Sequence, residues 1–189
     1  MYINKVVCVG LAGLLSFTAV YAGEEDFMRE AFSDKFLIGT ALNVKQIRSR
    51  NRNLQNLIGR QFSAVVAENC MKGEVVQPKE GVFNFKDGDL LCELAERNAQ
   101  VVTGHCLIWH SQPPKWMFTD KEGNTVSREV LIERMKAHIY AVAGHFKGRV
   151  KGWDVVNEAI LDNGKFRESE YYRIIGPEFI RLAFQFAHE

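Results

Sequence analysis

A glutamate that follows an asparagine is the feature of this sequence best suited to catalysis. Asn157 and Glu158 stand near the end of the segment WDVVNEA, which runs from Trp153 to Ala159. At the end of a strand, a glutamic acid can protonate the leaving oxygen of a glycosidic bond, and a neighbouring asparagine can hold the 2-hydroxyl of the sugar. A buried Asn-Glu pair that serves only packing is the alternative for this segment taken alone. Glu158 is therefore the candidate acid/base.

Polar and aromatic residues also follow two earlier apolar runs of the chain. Sugars present arrays of hydroxyl groups, so a sugar site needs convergent donors and acceptors beside an aromatic wall. The residues whose types and positions meet this need are Glu68, Asn69, Lys72, His105, Trp109 and Gln112. On the residues alone, His105 can equally be a core histidine and Trp109 can equally be interior packing. We interpret His110, Trp116 and Trp153 as structural.

These candidates fall at the ends of predicted strands in a repeated strand-then-helix pattern. Apolar runs predict strands over 36–43, 63–69, 100–109 and 150–159. Helical periodicity predicts helices over 46–61, from Asp89, from an N-cap at Ser127 and from Pro177. Because four successive βα units imply a parallel sheet covered by helices, the predicted fold class is α/β.

The distribution of the candidate residues suits a (β/α)8 barrel. Active sites of that fold lie at the C-terminal ends of the strands, although a doubly wound sheet also allows this placement. Such a barrel needs about 250 residues, and only about its first four βα units occur here. The final segment, FIRLAFQFAHE, stops inside an amphipathic helix. We therefore expect residues 23–189 to be the N-terminal part of an incomplete barrel domain.

Three segments resemble, in order, the motifs of glycoside hydrolase family 10, the endo-1,4-β-xylanases. They are AENCMK at 67–72, GHCLIWHSQ at 104–112 and WDVVNEA at 153–159. The similarity extends from about Phe36 to the end of the chain. The resemblance implies a (β/α)8 barrel that hydrolyses internal 1,4-β-D-xylosidic linkages in xylan by a retaining double displacement.

The resemblance also implies roles for individual residues. Glu158 would be the acid/base, and Asn157 would bind the neighbouring hydroxyl. Two further groups would bind sugar: Glu68, Asn69 and Lys72 two places from the scissile bond, and His105, Trp109 and Gln112 beside it. Glu74 is an additional candidate for contact with sugar. Xylan and xylo-oligosaccharides are the expected partners, and no obligate protein partner is expected.

Two features depart from the family pattern. Family members usually carry an aromatic residue at the place of Gly73, so the outer sugar site is expected to differ in shape. The family's nucleophile is a second glutamate on a later strand, and no segment here matches it. Glu168, Glu170 and Glu178 lie beyond the fourth predicted strand in loop or helix, and we do not assign them this role. The chain alone is therefore expected to be inactive.

Two other functions stay open at this point. One is a related barrel glycosidase that acts on cellulose or mixed-linkage β-glucan. The other is a non-catalytic sugar-binding protein. The Asn157–Glu158 pair argues against the second, because binding alone requires no acid at that place.

The first 22 residues have the composition of a secretory signal peptide. Lys5 precedes an apolar stretch over 6–17, and the stretch ends in small residues before the first acidic residue, Glu24. The apolar run is too short for a membrane anchor and no stop-transfer charges follow it. We expect cleavage after Ala22 and a secreted protein, extracellular or periplasmic.

Composition argues against several other classes of function. The formal net charge is +1, so no field of a single sign is available to attract nucleic acid or a membrane surface. Beyond the predicted signal peptide, the odd set Cys70, Cys92 and Cys106 argues against a disulfide framework and favours small buried residues. No metal, nucleotide or flavin motif occurs, so we expect no cofactor.

Overall fold

Four parallel strands form one sheet in the computed structural model, which describes residues 27–189. The strands are β1 (Gly39–Leu42), β2 (Ala64–Ala67), β3 (Val101–Trp109) and β4 (Val150–Asn157). They pair in the order in which they occur along the chain. The predicted signal peptide, residues 1–22, lies outside the described residues.

Helices precede, connect and follow the strands. In chain order they are α1 (Met28–Ala31), α2 (Val44–Ile47), α3 (Arg52–Gln61), α4 (Gly73–Val76), α5 (Lys86–Arg97), a 3₁₀ helix (Lys115–Met117), α6 (Arg128–His145), α7 (Glu170–Ile175) and α8 (Phe179–His188). Between residues 27 and 189, no helix combines the length and the apolar character needed to cross a membrane.

The predicted strands are present, but the first is shorter than expected. Phe36 and Leu37 precede β1 and are 56% and 57% exposed. The Phe36 N–H donates to the Phe32 carbonyl in a turn, and the two rings stack with centroids 5.0 Å apart. The apolar run therefore begins in a turn, and parallel pairing starts only where Gly39 meets Ala64.

The prediction of one helix over 46–61 is wrong, because the chain forms two helices there, α2 and α3. Asn51 lies between them, and its side-chain oxygen accepts hydrogen bonds from the N–H groups of Asn53 and Leu54. Such an N-cap starts a new helix because it satisfies N–H groups that have no partner within the helix. Asn51 therefore marks the start of a separate helix, α3, within the segment predicted as one helix.

Two of the remaining predicted helix starts are displaced by two or three residues. The Asp89 N–H donates to the Phe85 carbonyl, so α5 begins at Lys86 and Asp89 belongs to its first turn. The predicted N-cap at Ser127 is confirmed, since its hydroxyl accepts an N–H from the first turn of α6. Pro177 lies two residues before α8.

The strand order distinguishes the two α/β folds that the sequence allowed. A doubly wound sheet reverses its order at a switch point, and this sheet has no reversal. Because the crossovers of parallel sheets are right-handed, consecutive order places the helices on one face. The opposite face lines a cavity of about 260 Å³ whose walls include Ala41, Val66, Thr103 and Asp154. The chain thus contains four βα units of a (β/α)8 barrel, as predicted.

The residues interpreted as packing lie in or against the core. Trp116 and Trp153 contact the buried apolar cluster between the sheet and the helices. Cys70, Cys92 and Cys106 are free and buried, as the sequence predicted. Burial raises the pKa of these thiols to about 11, 11 and 12, so they are protonated in the folded protein near neutral pH.

Candidate active site

Glu158 comes directly after β4, at the C-terminal end of the sheet. Its φ is +52°, a left-handed conformation that costs a residue other than glycine roughly 1–3 kcal/mol. Its side chain is 51% exposed, and Oε2 accepts a hydrogen bond of 3.0 Å from Nε1 of Trp109. Trp109 ends β3 and lies opposite Asn157, the last residue of β4, in the parallel register. The register therefore brings the indole to the carboxylate.

His110 also belongs to this site, although the sequence indicated only a structural role for it. Its Nδ1 is buried without a hydrogen-bond partner and lies 3.8 Å from Oε2 of Glu158. Burial, and next the positive charge of Arg167, lower the pKa of His110, while Glu158 acts against them. His110 is therefore neutral near pH 7. Its position next to Trp109 in the strand-three motif is the signal that could have identified it.

Arg167 is a second neighbour of Glu158 that no sequence motif indicated. Its Nε donates to the carbonyl oxygen of Glu158 at 2.9 Å. The contact joins the start of the loop after β4 to a residue nine positions later. Local spacing carries no signal for such a contact, because it depends on how the loop folds back.

The end of β2 supplies a buried cation to the same edge of the sheet. Lys72 is 8% exposed, and its Nζ donates to Oδ1 of Asn69 at 2.9 Å. The same ammonium lies 4.5 Å from the centroid of the Trp109 ring. Glu68 is exposed at this strand end, directly after β2. Asn69, Lys72 and Trp109 therefore form one continuous wall.

Gln112 and Glu74 form a reciprocal pair beside this wall. Gln112 Nε2 donates to Glu74 Oε1 at 3.0 Å, and the Glu74 N–H donates to the Gln112 carbonyl, also at 3.0 Å. Gln112 has a φ of +57°.

A Cβ at Gly73 would lie 3.0 Å from Cδ of Pro114, which is tighter than ordinary packing. The proline therefore closes the space next to Gly73.

His105 lies on the open inner face of the sheet, further from Glu158. Its Nδ1 is 2.9 Å from Oδ2 of Asp154, the residue opposite it in the register of β3 and β4. The ring centroids of His105 and Trp109 are 6.1 Å apart. The peptide bond between His105 and Cys106 is cis. Because its ring reaches an exposed carboxylate, His105 is not a core histidine.

Of the glutamates beyond β4, two are held in ion pairs with arginine side chains. Glu170 pairs with Arg173, and Glu178 pairs with Arg128 and Arg181. Among the described residues, no group of three or more His, Cys, Asp or Glu side chains is placed to hold a metal ion.

The geometry combines a half-exposed carboxylate with a row of hydrogen-bonding side chains. The carboxylate of Glu158 is oriented by one N–H donor and is open to solvent, so it can give a proton to a ligand oxygen and take one back. Lys72 and Asn69 offer donors and acceptors, and the indole of Trp109 offers a flat apolar surface. Such a site suits a ligand with many hydroxyl groups.

The chain was compared with known protein families and sequences. The family model described as Glycosyl hydrolase family 10 matches residues 27–189. Endo-1,4-beta-xylanase A of Xylanibacter ruminicola is 54% identical over 182 residues, which cover 96% of this chain and 49% of that protein. Exoglucanase XynX of Acetivibrio thermocellus is 40% identical over 170 residues, 86% of this chain and 16% of that protein. The chain thus spans about half or less of the length of these relatives.

Solved structures resemble the fold described above. An intracellular xylanase from Thermoanaerobacterium saccharolyticum, solved as a mutant in complex with xylotriose, superposes with a TM-score of 0.82 at 36% sequence identity. The superposition covers 88% of this chain and 54% of that one. The four βα units seen here therefore correspond to about half of that structure.

Proposed function

The chain belongs to glycosyl hydrolase family 10, and from this premise we propose that the whole protein is an endo-1,4-β-xylanase. It cleaves internal 1,4-β-xylosidic bonds of xylan and xylo-oligosaccharides with retention of configuration. The proposal concerns the whole protein, because this chain spans 49% of the first relative described above. In the whole protein, further strands complete the barrel.

The observation that carries the proposal is the position of Glu158. A carboxyl group stands at the end of β4, half exposed and oriented by Trp109. Asn157 directly precedes it. This pairing supplies a proton donor, which glycoside hydrolysis requires, and next to it an amide for the 2-hydroxyl, a contact that adds transition-state stabilisation.

In the proposed mechanism, Glu158 donates its proton to the glycosidic oxygen as the bond to C1 breaks. A second carboxylate attacks C1 and forms a covalent glycosyl intermediate. That nucleophile comes from the strands that complete the barrel, with its carboxyl group about 5–5.5 Å from that of Glu158. Glu158 then takes a proton from water as the water attacks C1, and the bond between C1 and the nucleophile's carboxylate breaks. Asn157 holds the 2-hydroxyl during both steps.

The wall at the ends of β2 and β3 is proposed to bind the xylose units on one side of the scissile bond. Glu68, Asn69 and Lys72 bind the unit two places away. His105, Trp109 and Gln112 line the unit beside the bond. The mutual contacts among Lys72, Asn69 and Trp109 support this, because a pre-ordered wall loses little entropy when a sugar binds.

The test is the substitution Glu158→Gln in the whole protein. Removal of a general acid should lower kcat/KM on xylan by about 10²–10⁴-fold. Aryl xylobiosides with good leaving groups need little protonation, so their kcat/KM should fall far less. Glu170→Gln, which changes a surface glutamate in α7, is the matched control and should leave both values unchanged. Undiminished xylan hydrolysis in Glu158→Gln would exclude Glu158 as the acid.

A relative named as an exoglucanase supports a second candidate, hydrolysis of 1,4-β-glucan. The two are separated by kcat/KM on xylo-oligosaccharides and cello-oligosaccharides of equal length. Glucose carries a hydroxymethyl group where xylose has a hydrogen, and a site shaped for xylose should prefer xylose by at least about tenfold. The opposite preference would favour the glucanase. A whole protein that binds xylan without cleaving it would be a sugar-binding protein.

We further propose that the protein is exported. The proposal is supported by Lys5 and the apolar stretch at 6–17, which have the order of a signal peptide. N-terminal sequencing of the protein recovered from its natural host should begin at Gly23. A mature protein that still carries Lys5 would contradict export by this route.

A further inference from the structure

The backbone at Glu158 has an uncommon conformation in the structure in which its side chain contacts Trp109. Among the described residues other than glycine, positive φ occurs at Ala99, Gln112 and Glu158. A left-handed residue at a functional site persists only when its surroundings determine it. The contacts made by the Glu158 peptide group therefore matter for where the carboxylate points.

Arg167 makes such a contact from the loop that follows β4. Its Nε donates to the Glu158 carbonyl at 2.9 Å, and its own N–H donates to the Ala159 carbonyl at 2.7 Å. One residue thus binds two successive carbonyl groups at the start of the loop. A charged donor on a carbonyl makes a stronger hydrogen bond than a neutral one.

The loop itself fixes the position of Arg167. Ile160 and Phe166 form an antiparallel bridge, and the Leu161 N–H donates to the Lys165 carbonyl at 2.8 Å. This small hairpin returns the chain to β4 directly before Arg167. The guanidinium is therefore presented to the Glu158 carbonyl by a closed element rather than by a free loop.

Arg167 also acts on the other neighbour of the carboxylate. Its positive charge, after burial, lowers the pKa of His110. His110 Nδ1 lies 3.8 Å from Glu158 Oε2. At 3.8 Å the imidazole is beyond hydrogen-bond distance, so the indole of Trp109 is the N–H donor that orients the carboxylate.

We infer that Arg167 is a positioning residue for the acid/base of the proposed reaction. By donating to the Glu158 carbonyl, it holds the left-handed turn that directs the carboxyl group to Trp109 and to the glycosidic oxygen. The inference rests on the proposed function of Glu158. Arg167 does not bind the sugar; it acts through the backbone of Glu158.

The test compares three variants of the whole protein. Arg167→Met removes the donor and the charge but keeps a long side chain. Arg167→Lys keeps a charged donor. Arg173→Met, in the exposed pair with Glu170, is the matched control. For each, kcat and KM are measured on aryl xylobiosides with poor and with good leaving groups, and circular dichroism reports the fold.

Misplacement of the acid should lower kcat/KM for Arg167→Met by about 10²-fold on the poor leaving group. On the good leaving group the loss in kcat/KM should be several-fold at most. There kcat and KM should fall together, because Glu158 is also the base for the second step and the glycosyl intermediate accumulates. Arg167→Lys keeps a charged hydrogen-bond donor. Its decrease in log(kcat/KM) should therefore be at most about two thirds of the decrease in Arg167→Met. Arg173→Met should match the unaltered protein.

Equal losses on both leaving groups, or no loss, would overturn the inference, since a merely structural residue does not discriminate between them. If Arg167→Met fails to fold, the same comparison for Arg167→Lys decides, because a reduced and leaving-group-dependent kcat/KM is then required. Glu158→Gln is measured in parallel. If it shows no dependence on the leaving group, the assignment of Glu158 fails and this inference fails with it. If only the Arg167 variants lack that dependence, the positioning role alone is rejected.

Discussion

Lys72 shows how a single buried charge can be both stable and available to a ligand. An unpaired ammonium at 8% exposure would be costly, because burial removes its hydration. Asn69 accepts one of its three N–H groups, and the face of Trp109 attracts the charge. Lys72 therefore has donors left for sugar hydroxyls while it remains fixed between two side chains of the wall.

We predict that Lys72→Met lowers kcat/KM on xylo-oligosaccharides in the whole protein. A hydrogen bond to a charged group contributes about 1.5–3 kcal/mol, so the loss should be roughly 10- to 100-fold. Lys79→Met, at an exposed loop position, is the control and should have no effect. Unchanged kcat/KM in Lys72→Met, Asn69→Ala and Trp109→Ala alike would show that this wall does not bind the substrate.

At the scale of elements, α6 anchors the loops that follow β2 and β3, next to the wall of Asn69, Lys72 and Trp109. His138 in the buried face of α6 has its Nδ1 2.7 Å from Oε1 of Gln77, in the loop directly after α4. One turn earlier, Arg134 donates to the carbonyls of Trp116 and Thr119 and pairs with Glu80. The loops after β2 and β3 are therefore tied to one helix, and this holds their strand-end residues in a constant relation.

The buried histidine of α6 should make stability depend on pH. Burial lowers the pKa of His138 to about 4, whereas an unfolded histidine titrates near 6.5. Between these values the unfolded chain binds more protons, so stability falls as pH falls. Protonation of His138 should leave the free energy of unfolding unchanged above pH 6.5. Below it, the free energy of unfolding should decline by roughly 3 kcal/mol towards pH 4.

Urea unfolding of the whole protein at pH 7 and pH 4.5 measures this effect. His138→Gln should be less stable at pH 7, but its free energy of unfolding should change less between the two pH values. His188→Gln, at an exposed position in the last turn of α8, should retain the full pH dependence. The same pH dependence in His138→Gln as in the unaltered protein would contradict the prediction.

At the scale of the whole molecule, the sheet formed by residues 27–189 has two edges that no described strand pairs with, at β1 and at β4. Near the beginning of β4, a cavity of about 420 Å³ is lined by Phe146, Trp153 and Phe186, among others. Apolar surface of this kind and unpaired strand edges favour association or aggregation. In a closed barrel, neighbouring βα units would cover both edges.

We predict that the 189-residue chain, expressed alone, releases no reducing sugar from xylan. Retaining hydrolysis requires a nucleophile facing the acid, and the resemblance to the family implies that this nucleophile lies on a later strand. The open edges should also make the isolated chain poorly soluble. The measurement is a reducing-sugar assay on the purified chain, with its mass confirmed. Hydrolysis that disappears in the Glu158→Gln form of the same chain would show that a nucleophile lies within these residues.

The sequence alone was sufficient for features that depend on near neighbours along the chain. Apolar runs located the four strands, Ser127 marked a helix start, and three strand-end motifs identified residues that the structure brings together at one edge of the sheet. These signals are readable because side-chain periodicity, capping and motif spacing are local properties. The same local character explains the failures at Phe36 and Asn51, where apolar residues continue across a turn or a cap.

Only the tertiary structure decided which residues surround Glu158. The parallel register of β3 and β4 places Trp109 and His110 beside its carboxylate, and a hairpin returns Arg167 to its carbonyl. The order of the strands in the sheet likewise indicates a barrel and not a doubly wound sheet. Each of these contacts joins positions that meet only because strands pair and a loop closes. No pattern within one segment of the sequence contains that information.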